Sequence, residues 1–181
     1  FKLLSTFVEL RSVGNNLSFS LLSEEQKLME VLPGRAEKYQ ETLIAYSDQT
    51  TIPFTYGWIN TKIVLPTDLQ NNRESLAMAV QHELIHIKNH DFLLNSFLVA
   101  IKSLFWFHPL VYNLYSAREE YREILCDSQV LATNQFSKKK YASLLFELAK
   151  RDHNQPLALS MAVNKSSLKK RIQIMSNQNH T

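Results

Sequence analysis

Apolar residues recur along this chain with two spacings. They are densest around Leu76-Ala77-Met78-Ala79-Val80 and again at Leu84, Ile85 and Ile87, where a helix would be buried over most of its surface. Asn71, followed three residues later by Glu74, resembles a capping box at its start. Phe92 to Phe107 reads as a further apolar helix capped by Asp91. It is short for a membrane span, so a buried core helix is the expectation, although Phe105-Trp106-Phe107 also suits a membrane interface. Pro109 opens a helix that runs to Leu131, and Ser137 opens another with Tyr141, Leu144, Leu145 and Leu148 at helical spacing. Leu21 to Leu32 reads as a helix between Ser23-Glu24-Glu25 and Pro33-Gly34, and Ser166 to Met175 as a last, basic one. Leu157 to Val163 is a short apolar piece between them.

Three shorter runs, 42–46, 54–58 and 62–65, are rich in β-branched and aromatic residues and read as strands. The last two pair across a turn near Asn60-Thr61, and Pro66 closes the second. The expected fold is α+β and mainly α, a single domain over residues 1–181. The apolar start, Phe1 to Val8, fits a helix end or a juxtamembrane stub within residues 1–20. With Phe1 in first place, the chain reads as a piece of a longer protein.

Composition narrows the function. A hydrophobic content of 45% with 20% charged residues is ordinary for a globular domain. Three glycines disfavour a phosphate-cradling loop, and a net charge of +3 is too mild to argue for direct nucleic-acid binding. Cys126 is the only cysteine, which excludes an internal disulfide framework.

The chemistry concentrates at His82-Glu83-Leu84-Ile85-His86, an H-E-x-x-H inside the densest apolar stretch. On a helix His82 and His86 share a face one turn apart and can converge on one metal ion, while Glu83 stands beside it as a general base. His90 lies about 12 Å along the axis from His82, too far to share that ion. A third ligand is sought on the later helix. Glu123 and Asp127, four apart, are the better pair, one to bind metal and one to orient a ring; Glu119 and Glu120 compete with them on spacing.

Taken together, His82 to Asp91, Trp106-Phe107-His108-Pro109-Leu110 and Glu123-x-x-Cys126-Asp127 resemble the BlaR/MecR family of integral-membrane zinc metallopeptidases. Pro53 to Gly57, Ile63 to Pro66 and Leu168 to Ile172 are similar to further segments of that family, so the resemblance covers roughly residues 40–175. It implies a zincin-like fold, with His82, His86 and Glu123 as zinc ligands, Glu83 as general base and Asp127 as partner of a ligand histidine. It also implies a domain on the cytoplasmic side of the cell membrane in a multi-pass protein. There it would act in signalling by cleaving a transcriptional repressor or itself. The basic residues Lys165, Lys169, Lys170 and Arg171 fit a juxtamembrane position.

The reaction expected is peptide-bond hydrolysis with Zn2+ as cofactor. Ile63-Val64-Leu65 reads either as an exposed edge that takes an extended substrate or as an ordinary core strand. Arg118, Arg122 and His108 are candidates for the oxyanion. The alternative is a catalytically silent, zinc-stabilised signalling or interaction module.

Overall fold

The computed structural model describes residues 17–25, 28, 30, 32, 38–152 and 165–177. The expected stub within residues 1–20 falls largely outside them, and the apolar piece from Leu157 to Val163 entirely so. The described part is mainly helical, with one four-stranded sheet. The strands are β1 (Ser20–Leu21), β2 (Leu43–Ser47), β3 (Phe54–Tyr56) and β4 (Lys62–Pro66). The α-helices are α1 (Arg73–Lys88), α2 (Asp91–Leu104), α3 (Pro109–Leu131), α4 (Lys138–Asp152) and α5 (Lys165–Asn177).

The sheet order is β1-β2-β4-β3, with β2 parallel to β4 and both outer strands antiparallel to their neighbours. The β3–β4 connection turns at Gly57, whose φ of 106° is left-handed. A Cβ there would lie 2.6 Å from the Asn60 carbonyl oxygen, so only glycine fits. The helix expected over 21–32 begins instead with extended chain. Ser20 and Leu21 pair with β2, and Leu22–Glu24 form a 3-10 turn in which the Glu24 carboxylate accepts the Leu21 N–H.

α1 is the central element. Its N-cap is Asn72, one residue beyond the expected Asn71, with the side chain accepting the Ser75 N–H at 3.1 Å. Every residue from Leu76 to Gln81 is buried, because the helix packs against β3, α2, α3 and α4. The core joins α1 to Ile44, Ile63 and Leu65 of the sheet, to Val130 of α3, to Leu144 of α4 and to Leu168 and Met175 of α5. α2 departs from expectation. Asp91 is its only buried residue, while Phe97, Leu104, Trp106 and Phe107 along α2 and the turn after it are exposed. It is therefore no core helix. Among the described residues no helix is long and apolar enough to cross a membrane.

Candidate metal centre

The burial of α1 explains how two imidazoles come to be held in a fixed relation. His82 and His86 project from one face with ring centroids 4.7 Å apart and planes at 86°, edge to face. Their Nε2 atoms are 3.1 Å apart. α3 brings Glu123 to the same point, Oε2 lying 3.5 Å from His82 Nε2 and Oε1 3.8 Å from His86 Nε2. Two donors bound to one tetrahedral zinc at the usual bond length would be about 3.3 Å apart. Two nitrogens and a carboxylate with these separations fit such an ion.

Behind each ring stands a carboxylate, reached in a different way. The chain reverses after α1 through His90, whose φ of 53° is left-handed, and α2 starts with Asp91. Asp91 was expected as a helix cap; instead its Oδ2 sits 2.7 Å from His86 Nδ1, and Arg118 donates to its Oδ1 at 3.1 Å. On the other side, His82 Nδ1 lies 2.7 Å from the Tyr141 hydroxyl, which donates to Asp127 Oδ1 at 2.8 Å. Asp127 is 3.7 Å from His82 Nδ1, so its contact with the ring runs through Tyr141. Arg171 grips Asp127 with two bonds of 2.7 Å.

The charge distribution suits a cation. Burial alone would lower the His82 pKa, but Cys126 and Glu123 beside it push it up to about 10. His86 is likewise raised, against burial, by Cys126, Asp91 and Glu123. Burial would raise the Glu123 carboxyl, yet the His82 hydrogen bond and the charges of His86 and Arg171 hold it well below the usual range. Negative groups thus draw protons onto nitrogens where a metal would sit. Tyr141 moves the other way: burial and the Asp127 charge keep its hydroxyl protonated.

Cys126 competes for a ligand role. Among the described residues, His82, His86 and Cys126 form a group whose donor atoms lie within 4.8 Å of one another. The thiol, however, sits 3.3 Å from His82 Nδ1 and donates to the His82 carbonyl at 3.3 Å. With both Nδ1 atoms already engaged by Tyr141 and Asp91, the paired Nε2 atoms with Glu123 make the better-matched set.

Glu83 is buried on the β3 side of α1, and Thr55 donates to its Oε2 at 2.6 Å. β3 is an edge strand, one side paired with β4 and the other unpaired within the sheet. Of the two readings of Ile63-Val64-Leu65, an exposed edge or an ordinary core strand, the structure has the core strand. β4 is paired on both sides and these three residues have no exposed surface, because β2 returns parallel beside it. A small cleft beside His86 is lined by Thr55, Trp58, Thr61, Asp91 and Phe92.

Of the oxyanion candidates, Arg118 is committed to Asp91 and Glu119, and Arg122 to Glu119 and Glu123. His108 is exposed at the start of α3. Arg171, read with Lys165, Lys169 and Lys170 as fitting a juxtamembrane position, is 5% exposed and clamps Asp127. Tyr141, expected as plain core, and Thr55 also went unrecognised. A buried tyrosine in need of a hydroxyl partner was the one available signal.

The family model described as BlaR1 peptidase M56 matches residues 11–175. Over 121 residues, 65% of this chain, the sequence is 31% identical to the Methicillin resistance mecR1 proteins of Staphylococcus aureus and Staphylococcus epidermidis. It is 35% identical over 96 residues, 52% of the chain, to the Regulatory protein BlaR1 of Bacillus licheniformis. These matches cover 20% of each mecR1 protein and 16% of BlaR1, so the aligned part is a fifth or less of each relative.

Proposed function

The chain belongs to the BlaR1 peptidase M56 family, and on that premise we propose that it is the zinc-dependent endopeptidase domain of a membrane-embedded signalling protease. What carries the reading is the convergence of His82 Nε2, His86 Nε2 and the Glu123 carboxylate on one point. These three residues would hold the metal. Zinc bound there supplies a Lewis acid that makes a water nucleophilic near neutral pH. Glu83 takes the proton of the attacking water on its carboxylate and passes it to the leaving amine. Thr55 fixes one of its oxygens and leaves the other for that transfer. An extended peptide would add as a strand to the outer edge of β3, beside Thr55, since β4 is occupied on both sides.

The substrate is a protein, with a transcriptional repressor or the protein itself as the class that signalling by proteolysis calls for. In the full-length protein the domain faces the cytoplasm at the cell membrane. The names of the relatives, a resistance protein and a regulatory protein, support a signalling role.

The test is Glu83→Gln in the intact protein, with zinc content and cleavage of an unfolded protein substrate read together. Zinc should remain stoichiometric while cleavage falls about a hundred- to ten-thousand-fold. Cleavage at the wild-type rate removes Glu83 from the chemistry. If zinc is bound but neither form cleaves this substrate or itself, the silent zinc-stabilised module becomes the better reading.

A further inference from the structure

We propose that Tyr141 and Arg171 are positioning residues for His82, and that through them the last helix, α5, is part of the metal site. The inference rests on the metal reading above and extends it to Tyr141, which touches no ligand atom, and to Arg171, whose Nη1 lies 3.2 Å from Glu123 Oε2.

The hydrogen-bond roles in this chain of contacts are forced one after another. A guanidinium can only donate, and Arg171 places Nε on Asp127 Oδ2 and Nη2 on Oδ1, each at 2.7 Å. Both oxygens of Asp127 are thereby acceptors. Tyr141 has one hydroxyl proton, and it goes to Asp127 Oδ1 at 2.8 Å. Only lone pairs of that oxygen then remain for His82 Nδ1 at 2.7 Å, so Nδ1 carries the proton. With Nδ1 committed as a donor, Nε2, the atom that points at His86 and Glu123, is the nitrogen offered to a metal that displaces its proton.

Burial makes the arrangement rigid. Tyr141 is 0%, Asp127 1% and Arg171 5% exposed, so water does not compete for these bonds. Leu168 and Met175 flank Arg171 on the buried face of α5 and seat it in the core. Were Arg171 withdrawn, nothing among the described residues would fix the Asp127 carboxylate in place beneath the Tyr141 hydroxyl. The hydroxyl could then donate to Nδ1, putting the ring proton on Nε2, the tautomer that cannot bind metal. The seating of α5 therefore sets which nitrogen of His82 is available.

The experiment compares wild-type intact protein with Tyr141→Phe, Arg171→Lys and the double variant. The zinc dissociation constant is read by chelator competition and the visible absorption bands by cobalt substitution. Tyr141→Phe should weaken zinc about 10- to 100-fold and shift the cobalt bands. Arg171→Lys, which keeps the charge and loses the fork, should weaken it less. The double variant should lose less than the sum of the two single losses, because both act through the same Nδ1 proton, while the contact of Arg171 Nη1 with Glu123 Oε2 is separate. Wild-type affinity and unchanged bands in Tyr141→Phe would overturn the positioning role while leaving the metal site standing. Additive losses in the double variant would overturn the route from α5. A wild-type protein that takes up no zinc on add-back would sink the metal reading and this inference together.

Discussion

His82 and His86 sit one turn apart on α1, yet the groups that steady their rings come from very different distances along the chain. His86 is backed by Asp91, five residues on, across a single left-handed turn. Asp91 in turn is met by Arg118, whose side chain keeps some contact with solvent. His82 is backed by Tyr141 of α4, Asp127 of α3 and Arg171 of α5, all in the core. One side of the site is local and borders the cleft beside β3 and α2; the other is built from three helices and closed. On the proposed function, the open side is where a substrate would arrive. The closed side can be precise because nothing has to enter it.

Substitutions on the two sides should differ in kind as well as size. Arg171→Met leaves the Asp127 carboxylate buried with half its partners gone, and should lower stability by about 3–5 kcal/mol. Urea unfolding of the chelator-treated protein would measure this; a loss under 1 kcal/mol would mean the clamp is not sealed from water. Asp91→Asn, on the open side, should keep the fold and weaken zinc about 10-fold or somewhat more, since a neutral amide holds the His86 proton less firmly. Chelator competition checks it, and unchanged affinity would separate Asp91 from the metal site.

Smaller effects sharpen the contrast. Arg118→Met should cost about 1 kcal/mol, well below Arg171→Met, because its ion pair with Asp91 is partly open to solvent. Equal losses in the two arginine variants would erase the distinction between the sides. Thr55→Val removes a neutral donor from Glu83 and should slow turnover about 3- to 10-fold, with zinc content unchanged. A fall in zinc content instead would show that Thr55 supports the fold around the site rather than the base.

The helices from α1 to α5 were legible to within a few residues, because apolar spacing, Pro109 and Ser137 act within a turn or two of where they stand. The H-E-x-x-H pairing was legible for the same reason: one helical turn fixes which faces His82 and His86 share. β1 was missed because two residues carry no period, and what makes them a strand is the neighbouring Leu43 and Ile44. The edge and core readings of Ile63-Val64-Leu65 stayed open because strand order is set by pairing. Ile63-Val64-Leu65 has the same apolar character whether β2 lies beside it or not.

By itself, then, the sequence determined the helical frame, the two imidazoles one turn apart with a carboxylate between them, and a short list of acids on α3. The family resemblance singled out Glu123 and Asp127 among those acids, but only the tertiary structure set Glu123 against both Nε2 atoms and put Tyr141 between His82 and Asp127. It also turned Arg171 from a basic residue fitting a juxtamembrane position into the buried end of that chain. The reason is range. Helix geometry is written in neighbours three and four apart, whereas a buried tyrosine or arginine takes its meaning from whichever polar group another helix brings to it.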